Sequence, residues 1–147
     1  LINEVSSGAL LYYIDNQTIT FLLLHYFRGH WDFPKGNKEK GESDIDTALR
    51  EITEETGITD VTILDGFKKE IFYKYKRNNQ LMSKKVVYFL AKTNSTDVRL
   101  SSEHLDFVWE QYEDALKRIT YKNSKEILHE GYKFLINSLN LNPPTNE

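Results

Sequence analysis

Three glutamates define the chemistry open to this sequence. Glu51, Glu54 and Glu55 fall within one short stretch, EITEE. Residues three and four apart are neighbours on a helix, so there the three carboxylates share one side. Carboxylates held that close repel one another unless a cation or water screens them. A hard divalent ion answers that need: magnesium takes oxygen ligands, keeps several waters, and is commonly held by one or two carboxylates plus substrate phosphates. The plain alternative is a solvated acidic helix face, because exposed glutamate is ordinary.

The flanking residues make the helix. Ser43 and Asp44 can cap its start by accepting from unpaired backbone N–H groups. Gly57 tolerates the left-handed conformation that ends many helices. Ile45, Ala48, Leu49 and Ile52 form the expected core face, and Arg50 stands beside Glu54 on the flank away from it.

Strand-forming segments surround this helix. Residues 6–14 and 18–27 read as a hairpin turning at 15–17, and the apolar run 21–24 suggests a strand buried on both faces. Trp31 to Pro34 is a short extended piece, with Trp31 expected in the core. Residues 36–41 read as a polar loop. Residues 61–64 and 67–75 are strand material, bent at Asp65 and Gly66. Residues 76–83 read as turn-like, 84–92 as a strand, 98–100 as a short strand and 105–109 as another. Residues 112–119 fit a short helix. Residues 123–139 fit an amphipathic one burying Ile127, Leu128, Tyr132, Leu135, Ile136 and Leu139. The pattern is a mixed sheet packed between helices, one domain over 1–147, with Pro143 and Pro144 inside a mobile tail from 140 onward.

Composition narrows the class. The 147 residues are 39% hydrophobic and 28% charged, as in ordinary globular domains. The net charge of −3 argues against long nucleic acid as a partner. No cysteine is present, which excludes disulfides and cysteine metal sites and fits a reducing, cytoplasmic location. No apolar run approaches the roughly 18 residues that span a bilayer. A monomer without membrane contact is expected.

The stretch from Gly36 to Ile58 satisfies G-x5-E-x7-R-E-U-x-E-E-x-G-U, with U apolar, at Gly36, Glu42, Arg50, Glu51, Ile52, Glu54, Glu55, Gly57 and Ile58. This resembles the signature of the Nudix hydrolases, which cleave diphosphates linked to another moiety. The flanks resemble the animal and archaeal type of asymmetrical diadenosine tetraphosphate hydrolase: His30-Trp31 before Phe33-Pro34-Lys35-Gly36, VVYFLAK at 86–92, LSSEH at 100–104, and Val108-Trp109 before Tyr112-Glu113-Asp114-Ala115. Phe33 stands where such proteins often have proline, and Asn37 where they often have histidine.

The resemblance implies the Nudix fold, an α/β/α sandwich, and metal-dependent hydrolysis of a dinucleoside polyphosphate to ATP and AMP. Magnesium, or manganese in its place, is the implied cofactor. Glu51, Glu54 and Glu55 resemble the metal ligands, one doubling as base. Gly36 matches the box glycine whose carbonyl joins the metal, Arg50 the residue that orients a box glutamate, and Glu103 a carboxylate near the metals or attacking water. Glu51, Glu54, Arg50 and Glu103 form the implied catalytic set, and His104 is expected to pack or orient. Glu42 is expected to close the loop onto the helix. Tyr73 and Tyr121 fall where relatives stack an adenine, and His30, Lys35 and Lys84 are the candidate phosphate contacts. RNA 5′ ends and diphosphoinositol polyphosphates are alternative substrates, and a non-cleaving nucleotide-binding module is the alternative of another class.

Overall fold

The first two strands form the expected hairpin. In the computed structural model, which describes residues 2–140, β1 (Ile2–Asp15) and β2 (Thr18–Tyr26) run antiparallel. Asn16 and Gln17 join them with φ of 49° and 69°. Positive φ at both turn residues matches the twist of the flanking strands. Phe21 to Leu24 are wholly buried, because β2 lies inside the sheet with both faces covered.

The remaining elements are β3 (Trp31–Asp32), β4 (Lys35–Asn37), α1 (Asp44–Thr56), β5 (Thr62–Arg77), β6 (Gln80–Lys92), β7 (His104–Gln111), α2 (Tyr112–Arg118) and α3 (Lys122–Ser138). The seven-stranded sheet has the order β3-β2-β1-β6-β5, with β4 paired to β1 and β7 to β2. Among the described residues, only β1 and β6 pair in parallel. Successive strand residues point to opposite faces. Ala9, Leu11, Leu22, Leu24, Val87 and Phe89 therefore pack with Ala48 and Ile52 of α1. Leu10, Tyr12, Phe21, Leu23, Tyr88 and Leu90 pack with Ile127, Leu128 and Leu135 of α3. The mixed sheet between helices is the Nudix fold, an α/β/α sandwich.

Several local expectations are corrected. Residues 76–83 are not an extended turn: β5 and β6 run on to Arg77 and from Gln80, and only Asn78 and Asn79 turn, at φ 50° and 64°. Asparagine tolerates that left-handed region, and cross-strand pairing holds the polar ends straight. The same extension of β6 draws β1 out to Ile2, which pairs with Met82. The expected loop at 36–41 begins as strand, since Gly36 and Asn37 pair with Ser7 and Ser6. Residues 98–100 form no strand and cross the end of α1, where Arg99 N donates to Thr56 O at 2.8 Å. Ile45 is 41% exposed and Leu49 only partly buried, so the buried face of α1 turns toward Thr47, Ala48, Ile52, Glu55 and Thr56. Trp31 is half-buried and packs against the edge of the core rather than inside it, stacked on His25 at 4.5 Å with Arg118 over its ring at 4.8 Å. No helix among the described residues is long and apolar enough to cross a membrane. Pro143, Pro144 and the tail 141–147 lie outside the described residues.

Candidate active site

Helix α1 and the loop before it form one hydrogen-bonded unit. Ser43 and Asp46 make a reciprocal capping box, and Gly57 ends the helix at φ 75°. Ahead of the cap, Arg50 ties the loop down. Its Nε and Nη2 donate to Glu42 at 2.6 and 3.0 Å, its Nη1 to Glu51 at 2.8 Å and Glu54 at 3.1 Å, and its Nη2 to the Asn37 carbonyl at 2.9 Å. The rigid guanidinium fork suits such multiple recognition. Arg50 holds the Glu42 carboxyl down at about 2. Glu42 also accepts from Glu39 N and Thr47 Oγ1, so it closes the loop onto the helix as expected.

The metal-ligand candidates separate into inner and outer groups. Glu51 and Glu55 are inner, with 14% and 7% side-chain exposure, while Glu54 is outer at 57%. The Glu51 carboxylate lies directly against Gly36, where any side-chain carbon would overlap it. Burial raises the Glu51 carboxyl, with further pushes from Glu54 and Glu103 against the pull of Arg50. Burial, then the charge of Glu51, drives Glu55 up to about 9, and Glu103 adds to the push. Glu103 is exposed in the turn before β7, near enough to act on both carboxyls. Glu55 Oε2 accepts from Lys35 N at 3.2 Å, and Glu55 Oε1 lies 3.8 Å from His104 Nε2. His104 is held below its ordinary value by burial.

The cationic and aromatic candidates lie beyond β4. Lys84, only 8% exposed, donates to Asn37 Oδ1 at 2.6 Å, and Ser6 Oγ donates to the same oxygen at 2.8 Å. Burial, then the charge of Lys35, lowers the Lys84 ammonium. Lys35 also acts on Glu55, Asp32 and His30, so it stands between the carboxylates and the other candidates. His30 stacks on Tyr26 at 4.6 Å and leans toward Tyr121 at 5.4 Å. Its burial, then Lys35, pushes it down to about 4, so near neutrality it offers a neutral donor rather than a charge. Thr120 fixes the start of α3, accepting from Trp31 N at 2.8 Å and donating its own N–H to Trp31 O at 3.2 Å. That places Tyr121, half exposed, within electrostatic reach of Tyr73.

Among the described residues, no three His, Asp or Glu side chains converge tightly enough to form a finished metal cage. The donor chemistry nevertheless fits a hard cation. Glu51 and the buried Glu55 are oxygen donors whose mutual repulsion a cation would relieve, and the missing side chain of Gly36 leaves room for the Glu51 carboxylate. Glu54 and Glu103 are placed to add oxygens from the rim.

Fold and site together define a class. The chain belongs to the NUDIX family, whose domain model matches residues 5–131. It is an enzyme of the Nudix hydrolase type. It is 42% identical over 128 residues to the asymmetrical bis(5′-nucleosyl)-tetraphosphatase of Mus musculus, covering 83% of this chain and 84% of that one. The protein of the same name from Caenorhabditis elegans is 36% identical over 135 residues, covering 88% and 95%. A crystal structure of a C. elegans Ap4A hydrolase binary complex superposes with a TM-score of 0.82 at 34% identity, covering 91% of this chain and 98% of that one.

Sequence reasoning left three site residues without a role. Asn37 bridges Arg50 and Lys84. Asp32 is buried, within electrostatic reach of Lys35 and Tyr73. Ser101 bonds His104 at 2.9 Å. A polar residue inside an apolar strand run was the available signal for Asp32. The Asn37 contacts are distant in sequence, whereas the Ser101–His104 bond spans three residues in a turn whose shape no local pattern marked.

Proposed function

We propose that this chain hydrolyses dinucleoside polyphosphates, diadenosine tetraphosphate to ATP and AMP, with magnesium or manganese held by Glu51, Glu54, Glu55, Glu103 and the Gly36 carbonyl. One observation carries the proposal: two charge sets meet at β4. Glu51 and Glu55 repel each other on one side. Lys35 and Lys84 repel each other on the other, with no carboxylate among the described residues within ion-pair distance of either lysine. Glu51 and Glu55 would hold a divalent cation that offsets their repulsion, and Lys35 and Lys84 would hold the phosphates that offset theirs. The names of the mouse and nematode relatives and the superposed hydrolase support the substrate class.

When bound, the ion would neutralise phosphoryl oxygens and lower the pKa of a coordinated water. The chain's own groups do the rest. Tyr73 and Tyr121 stack one adenine, and each such contact is worth roughly 1–3 kcal/mol. Lys35 and Lys84 hold the phosphates, and His30 donates a neutral hydrogen bond. A glutamate at the carboxylate cluster takes the proton of the attacking water. Attack forms a new P–O bond and breaks the bridging P–O bond. The leaving nucleotide keeps the bridging oxygen as phosphate. Positioning supplies most of the rate, and the distance from the adenine clamp to the carboxylates selects the phosphorus.

Incubation with diadenosine tetraphosphate and magnesium, followed by separation of products, tests this directly. ATP plus AMP is expected. Two ADP would overturn off-centre attack, and cleavage only of capped RNA or diphosphoinositol polyphosphates would replace the substrate class. Tyr121→Ala is expected to raise KM about tenfold or more with kcat nearly unchanged, since the lost stacking is present in ground and transition states alike. A fall in kcat at constant KM would remove Tyr121 from the clamp.

A further inference from the structure

One ring nitrogen of His104 is enclosed without a partner. The side chain has no exposed surface, and Nε2 makes no hydrogen bond among the described residues. Glu55 Oε1 lies 3.8 Å away, beyond hydrogen-bond length and too near for a water to stand between. Buried polar groups are rarely left this way, and each exception calls for an explanation.

The other nitrogen has a hydroxyl partner able to donate to it. His104 Nδ1 is 2.9 Å from Ser101 Oγ. That oxygen already accepts from Glu103 N at 3.3 Å, which leaves its hydroxyl hydrogen free to be donated to Nδ1. An accepting Nδ1 puts the ring hydrogen on Nε2, facing Glu55. The ring cannot turn away readily. Tyr26 packs against it edge-on at 4.6 Å, and the backbone of His104 pairs with Tyr26 across β2 and β7. The loop bearing it is fastened to the end of α1, with Ser101 N donating to Glu55 O at 3.2 Å. Hydrogen bonds thus run from Glu103 N through Ser101 to His104, whose Nε2 stops 3.8 Å short of Glu55 Oε1, while the second Glu55 oxygen is held by Lys35 N.

We infer that His104 is a positioning residue for Glu55, its Nε2–H closing on Oε1 to fix that carboxylate relative to Glu51 and to the loop that carries Glu103. Glu55 is then gripped at both oxygens, by β4 on one side and β7 on the other. The inference rests on the proposed role of Glu55 as a metal ligand. Partners of this outer kind orient metal-binding carboxylates, and losing them typically costs about 10–100-fold in metal affinity or activity.

The test measures manganese binding to the protein without substrate, by the free-ion electron paramagnetic resonance signal, beside kcat, KM and thermal melting in chelator. His104→Phe keeps the packed ring and removes the donor. It is expected to stay folded, to weaken manganese binding and to lower kcat by about 10–100-fold each, with KM little changed. His104→Gln restores an N–H near the Nε2 position and should recover most of both losses. Ser101→Ala frees the ring tautomer without disturbing the core. It should lose a smaller factor, about threefold to tenfold, and nothing further when combined with His104→Phe.

A packing role alone predicts the reverse ranking, Phe tolerated and Gln harmful, and that result overturns the inference. Should His104→Phe fail to fold, unchanged manganese binding in Ser101→Ala overturns it equally. Glu55→Gln in the same assay separates the two levels. If it leaves manganese binding unchanged, the metal-ligand proposal itself fails. If it weakens binding while His104→Phe does not, only the positioning role fails.

Discussion

Replacing Glu55 by glutamine is expected to lower kcat by about 10³-fold or more while leaving the protein as stable as before or more so. The activity loss follows from the proposed chemistry, since a neutral amide cannot offset a divalent charge and about 4 kcal/mol of transition-state stabilisation corresponds to that factor. The stability effect follows from burial. Glu55 sits at about 9 in the folded chain against an ordinary 4.5. A carboxyl raised in the folded state costs nothing below its unfolded value, where it is protonated in both states. It destabilises progressively as pH rises from 4.5 toward 9, because folding must then retain the proton or bury the charge. In chelator the parent protein should lose stability across that window, and Glu55→Gln should flatten the loss. A tenfold change in proton affinity corresponds to about 1.4 kcal/mol, so the variant should gain on the order of 1–3 kcal/mol near pH 8. Denaturant melts at several pH values with chelator, repeated with magnesium, check both halves. Magnesium should stabilise the parent and reduce or abolish the advantage of the variant. A variant that keeps turnover would remove Glu55 from the site, and one that unfolds in chelator would contradict its role as a strained functional group.

The helix was legible because its signals are local. Ser43 and Gly57 occupy the cap positions expected of them, while Asp44 is the first helical residue and Asp46, not Asp44, completes the capping box. The spacing of Glu51, Glu54 and Glu55 fixed their common flank before any tertiary contact was known. Ile45 was misplaced because apolar periodicity states which side a residue can take, not how far the sheet extends beneath it. At the first turn of α1 the sheet no longer covers that side, whereas deeper along the helix it buries Glu55 instead. The polar ends of β5 and β6 were misread for the opposite reason. Lys76 and Arg77 pair with Leu81 and Gln80 and draw their order from that pairing, not from a buried face of their own.

The site divides in the same way. The box residues lie on one helix and its leading loop, so spacing sufficed. Lys84 reaches Asn37 across 47 positions, and His104 meets Glu55 across the gap between a helix end and a strand start. Those meetings are set by sheet order and register, above all by the parallel pairing of β1 with β6 and by β4 docking on β1. Gly8 makes that docking possible, since a side chain there would strike the Pro34 carbonyl and Lys35. Only the resemblance pointed to Tyr73 and Tyr121 as a pair. In the fold, the β5 register and the Trp31–Thr120 clamp bring Tyr121 within electrostatic reach of Tyr73.

Arg50→Ala is expected to lower kcat/KM by about 10²–10³-fold, and Arg50→Lys should recover little of it. Lysine keeps the charge, but a single ammonium cannot reach Glu42, Glu51, Glu54 and the Asn37 carbonyl together. Without the guanidinium, Glu51 loses the donor that directs one oxygen, and the Asn37 backbone is released. Asn37 in turn holds Lys84, so one substitution disturbs both the carboxylates and the lysine proposed to hold phosphate. The acid side of the stability profile supplies an independent check. Glu42 is depressed to about 2 by Arg50, from an ordinary 4.5. A carboxylate lowered in the folded state contributes stability that is present above its unfolded value and is lost as pH falls through the folded one. The parent should therefore lose this contribution between pH 4.5 and about 2, whereas the contribution should be missing from Arg50→Ala already at neutral pH, leaving a shallower acid slope. Acid titrations of both proteins followed by circular dichroism measure that slope. Parallel curves would mean the Arg50–Glu42 pair is a screened surface contact, and the activity loss would then have to arise through Glu51 alone.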